Sequence, residues 1–81
     1  MGGLIIMVYY KIKNDLNKLR EIKKEYFSTN NNTRLLIMGV TANRIIKRIE
    51  ENLPLIKNNE LRKGLEDEFA ELLKDEAPKE D

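Results

Sequence analysis

Arg34-Leu35-Leu36-Ile37-Met38-Gly39-Val40-Thr41-Ala42-Asn43-Arg44-Ile45-Ile46-Lys47-Arg48-Ile49 is the stretch on which the fold turns. Leu35, Met38, Ala42, Ile45 and Ile49 recur at steps of three, four, three and four, the heptad spacing that lines one side of a helix. The spacing predicts a helix over residues 34–52, stopped by Pro54, whose ring and missing N–H do not fit a helix interior. Leu36, Ile37, Val40 and Ile46 fall off that seam, so the first half of the segment is apolar nearly all round. A segment of this kind is either a helix covered on several sides or a strand over 34–40 interrupted at Gly39.

Upstream, Ser28-Thr29-Asn30-Asn31-Asn32-Thr33 reads as a loop, with Asn32 or Thr33 capping the helix that follows. Before it, Ile5, Val8, Ile12, Leu16, Leu19, Ile22 and Tyr26 form one helical stripe and predict a continuous helix over residues 4–27. Asp15 stands where a strict heptad wants an apolar residue, and Leu16 beside it takes that place. The competing reading begins with a strand over 4–12, where β-branched and aromatic residues alternate with polar ones, followed by a shorter helix capped by Asn14 or Asp15. Downstream, Asn58-Asn59 opens a third helix over 60–76, with Leu61, Leu65, Phe69, Leu72 and Leu73 on its apolar face. Gly64 costs this helix about 1 kcal/mol relative to Ala, so it depends on packing. The expectation is an all-α, three-helix domain over residues 1–76: a long helical hairpin plus a C-terminal helix, with a disordered acidic tail over 77–81.

Composition removes several function classes. With 81 residues the chain holds one small domain, and it contains no Cys, no His and no Trp. Disulfides, Cys/His zinc sites, imidazole acid–base chemistry and thiol nucleophiles are therefore excluded. Ser28 is the lone serine and has no His to activate it. The cluster Glu66, Asp67, Glu68 and Glu71 lacks calcium-loop spacing and reads as a solvated helix face. No enzyme, cofactor, metal or small-molecule substrate is expected. The run from Leu4 to Tyr10 is too short to span a bilayer and lacks the features of a secretory signal, so a cytoplasmic protein without membrane contact is expected. Lys and Glu are abundant and Gln is absent, a bias reported for thermophiles, against which nine Asn residues weigh.

The formal net charge of +1 conceals a division. Residues 1–49 carry ten basic and three acidic side chains, whereas residues 50–81 carry five basic and eleven acidic ones. The basic half is suited to a polyanion, unless the two halves neutralise each other inside the fold. A hairpin of two such helices also cannot bury Tyr9, Leu36, Ile37, Val40 and Ile46. These five are the expected interface to a protein partner or to a second copy in a homodimer.

Residues 39–49 resemble the turn and recognition helix of helix-turn-helix DNA-binding proteins. In that family a Gly makes the turn, Ser or Thr caps the recognition helix, and apolar residues point inward, as Gly39, Thr41, Ile45 and Ile49 would here. The resemblance implies that Asn43, Arg44, Lys47 and Arg48 face a DNA groove. Leu35 stands where the family places a small residue, and the Asn run crowds the start of the supporting helix. Lys11, Lys13, Lys18, Arg20, Lys23, Lys24 and Arg34 complete the expected backbone contacts. In order of elements, a strand at 34–40 followed by two helices would resemble ribbon-helix-helix repressors, although residues 34–38 lack their alternation. The size and charge bias are similar to those of small accessory subunits of archaeal replication complexes. The functional expectation is a DNA-binding regulator or accessory subunit; the alternative is a protein–protein adaptor that touches no nucleic acid.

Overall fold

A computed structural model describes residues 2–74, with side chains from Ile6 onward. The expected tail over 77–81 and the last two residues of the expected third helix lie outside the described residues. The chain forms α1 (Gly2–Ser28), α2 (Asn32–Asn52), a short 3₁₀ turn (Leu53–Leu55) and α3 (Asn59–Leu72). Among the described residues there is no strand, so both 4–12 and 34–40 are helical. In α1 the stripe Val8, Ile12, Leu16, Leu19 and Ile22 carries the helical period straight through the β-prone opening. Three of these residues are buried and the other two pack against the same core.

α2 begins two residues earlier than the spacing suggests. The Asn31 side chain accepts the Arg34 backbone N–H at 3.0 Å, so Asn31 is the cap rather than Asn32 or Thr33. The helix runs unbroken through Gly39 and buries Met38, Ile45 and Ile49. It ends where Pro54 would clash: Leu53 still donates its N–H to the Ile49 carbonyl, and Pro54 sits inside the 3₁₀ turn. Asn58 caps α3 by accepting the N–H groups of Glu60 and Leu61. α3 ends at Leu72 instead of 76, with the Leu73 N–H closing onto the carbonyls of Phe69 and Glu71.

α2 returns antiparallel along α1, and α3 runs parallel to α1. Tyr9 lies beside Glu60 and Leu61 at the start of α3, while the Lys23 Nζ reaches the Leu72 carbonyl at its end. Ile12, Leu16 and Leu19 meet Ile45, Ile49, Leu53, Ile56, Leu65 and Phe69 in one core. Each such burial contributes roughly 1.5–3 kcal/mol before ordering costs. At 1.5 Å per residue the helices are about 40, 31 and 21 Å long, in a body of 46 × 25 × 15 Å. α3 therefore covers only part of the hairpin. Past its end, Tyr26, Phe27, Ala42, Ile46 and Leu73 border an open apolar groove.

Candidate nucleic-acid interface

The two sides of α1 dispose of their cations differently. On the α3 side, Lys13 Nζ donates to Glu68 Oε1 at 2.9 Å and Arg20 Nη2 to Oε2 at 2.8 Å. One half-buried carboxylate thus clamps two cations two turns apart on α1. Partial burial works to raise the Glu68 carboxyl, but the hydrogen bonds and charges of Lys13 and Arg20 outweigh it and hold it below the usual carboxylate range. Lys23 Nζ donates to the carbonyls of Leu72 (3.2 Å) and Lys74 (2.7 Å), a cation at the negative end of α3.

The opposite side of α1 faces α2 with no third helix above it. Lys11, Asp15, Lys18 and Ile22 form one i, i+4, i+7, i+11 stripe; Ile37, Thr41, Arg44 and Arg48 form its counterpart on α2. Asp15 and Arg48 join the two stripes. Arg48 Nε donates to Asp15 Oδ2 at 2.8 Å and Nη2 to Oδ1 at 2.7 Å, a bidentate fork. The carboxylate is buried, at 3% residue exposure, while the Arg48 side chain stays 45% exposed. Hydrogen bonding to Asp15, then the charge of that carboxylate, keeps the guanidinium more firmly protonated than an ordinary arginine. One turn further along, Lys18, Ile22, Thr41 and Ile45 line a shallow groove with Asn17 and Glu21.

The residues expected to meet DNA are only partly brought together. Lys11, Lys18, Arg44 and Arg48 border the open α1–α2 face, whereas Lys13 and Arg20 are spent on Glu68. Asn43 and Lys47 are exposed on the outer side of α2. Lys23 is spent on the end of α3, Arg34 is bound to Glu25 at 2.8 Å, and Lys24 lies 4.0 Å from Glu21. The local geometry expected of a turn and recognition helix is not formed. Gly39 is helical, and Thr41, instead of capping, donates its hydroxyl to the Ile37 carbonyl at 2.9 Å within α2. An apolar seam continuous from Met38 to Ile49 overrides the local turn pattern.

Of the residues assigned to an interface, Leu36, Ile37 and Val40 are exposed at 73, 53 and 50%. Tyr9 and Ile46 are instead partly buried against the core, Tyr9 beside the start of α3 and Ile46 on the edge of the groove past its end. Ile6, Met7 and Tyr10 form a further exposed apolar group near the start of α1. The misfit of Asp15 to the heptad was the visible signal of the fork, and its partner was visible only as one arginine among five. Glu68 was grouped with solvated acids and is instead an inward anchor, whereas Glu66 and Asp67 are exposed.

No known protein family matches the chain, and no characterised protein or solved structure matches it. No helix among the described residues is long and apolar enough to cross a membrane.

Proposed function

We propose that this is a small non-enzymatic binding protein that serves DNA transactions as a subunit or regulator, meeting the DNA backbone with the α1–α2 face. The observation that carries this reading is the sorting of cations. Those beside α3 are bound within the fold, while Lys11, Lys18, Arg44 and Lys47 have no ion-pair partner among the described residues and Arg48 stays half open to water. These five occupy the uncovered face and the adjoining outer side of α2, where a phosphate backbone has access. The contact is to backbone phosphates along a groove, without the base-reading role that a recognition helix would confer.

If about four of the five reach phosphates, binding weakens steeply with salt, with a log–log slope of about −3 to −4. Fluorescence anisotropy of a labelled duplex between roughly 20 and 200 mM salt reads this directly. Absence of binding at the lowest salt overturns the reading. A protein–protein adaptor is the second reading, favoured by the exposed Leu36, Ile37 and Val40 and, separately, by the apolar groove past α3. Size-exclusion chromatography with light scattering, with and without DNA, separates the two: a dimer indifferent to DNA belongs to the second.

A further inference from the structure

We propose that Arg48, gripped by Asp15, is the pre-set centre of a subsite for one backbone phosphodiester, with Lys18 and Arg44 beside it, and that Asp15 is its positioning residue. The inference rests on the DNA reading above and adds a particular contact to it.

An exposed arginine ordinarily sweeps many rotamers and loses that freedom when it binds. Arg48 does not start from that condition. Its Nε and Nη2 are committed to a carboxylate that is itself buried, so the guanidinium plane is fixed against the body of the protein. Nη1 has no partner among the described residues, and the side chain is 45% exposed. Three N–H bonds therefore remain on a held group, both of those on Nη1 and the second on Nη2, the donor pattern that suits phosphate oxygens. Lys18 stands one turn beyond Asp15 on the same stripe of α1, and Arg44 one turn before Arg48 on α2; the antiparallel register places both on the same side of the fork. Asp15 cancels the charge of Arg48, so Lys18 and Arg44 supply the net attraction while Arg48 supplies direction. Glu21, which lines the adjoining groove and lies 4.0 Å from Lys24, is a carboxylate that opposes them.

This division of labour makes a prediction that charge alone reverses. Asp15→Asn removes one negative charge from the face and so should strengthen binding of any polyanion if only charge matters. Under the proposal it weakens duplex binding by about three- to tenfold and lowers the salt slope by about 0.9, because an amide cannot hold the fork at both oxygens. Glu21→Gln makes the same charge change in the same groove without touching Arg48, and it tightens binding by about twofold. Arg48→Lys keeps the charge but cannot be held side-on, and it weakens binding as Asp15→Asn does. All are measured by anisotropy on the full chain, with helicity checked by circular dichroism; if Asp15→Asn fails to fold, Arg48→Lys against Glu21→Gln decides. Tightening by Asp15→Asn comparable to that by Glu21→Gln, or parental affinity in Arg48→Lys, overturns the subsite and leaves the DNA reading standing. No binding by the parent chain overturns both.

Discussion

On one side of α1, Lys13, Arg20 and Lys23 hand their charge to α3; on the other, Lys11 and Lys18 flank the Asp15–Arg48 fork under no covering helix. The residue types are the same on both sides, and the third helix makes the difference. Where α3 packs, its carboxylate and its carbonyl end consume the cations as structural ties. Where it is missing, an acid that α1 itself buries ties Arg48 to it, Glu25 ties Arg34 near the loop, and Lys11, Lys18 and Arg44 face solvent. An excess of Lys and Arg in half a chain is therefore a supply, and packing decides which part becomes glue and which part surface.

The strongest way to break this contrast is at the fork. Arg48→Ala leaves the Asp15 carboxylate buried without its partner and is expected to lower the urea midpoint more than any other variant named here. Asp15→Ala frees Arg48 into solvent and costs about 1 kcal/mol, and the double variant matches Asp15→Ala. Urea unfolding measures all three. Equal losses for the two single variants would show that the carboxylate is not stranded.

The α3 side is tested through pH. The Glu68 carboxyl is held below the ordinary range in the folded chain, so the folded state binds its proton less readily than the unfolded one. Its contribution is present above the unfolded carboxylate value of about 4.3 and is lost as pH falls through the lower folded value. Glu68→Gln is expected to cost about 1 kcal/mol at neutral pH and almost nothing near pH 2, giving a flatter acid limb in thermal unfolding. The parent's steep acid limb persisting in the variant would place the tie elsewhere.

The smallest effect sharpens the comparison by testing the straightness of α2, on which both sides depend. A Cβ at Gly39 meets nothing within 4 Å, and its φ is not positive. Gly39→Ala is expected to raise stability by about 0.5–1 kcal/mol. In a helix-turn-helix turn the same change would destabilise, so the sign of the shift in unfolding midpoint distinguishes the two backbones.

The fold was legible where one period ran long enough to dominate. The heptad through Met38, Ile45 and Ile49 outlasts the local punctuation of Gly39 and Thr41, and the α1 stripe carries β-prone residues into a helix because burial outweighs propensity. The pair Asn58-Asn59 was legible as the opening of α3 without deciding which of the two caps it, just as three consecutive Asn residues left the cap of α2 undecided. The candidate site was legible only as an inventory. Lys13 and Arg20 find Glu68 across 55 and 48 residues of sequence, and no local pattern distinguishes that glutamate from its exposed neighbours. Asp15 was visible as an anomaly, but its choice of Arg48 over Arg44 one turn away depends on how the two helices align.

Because α3 spans little more than half the length of α1, the molecule tapers. A force applied near Pro54 meets three rods braced together, while the same force near Asn30 bends only two. Leu36, Ile37 and Val40 ride on the pliant end of this lever, and the fork lies toward its stiff root.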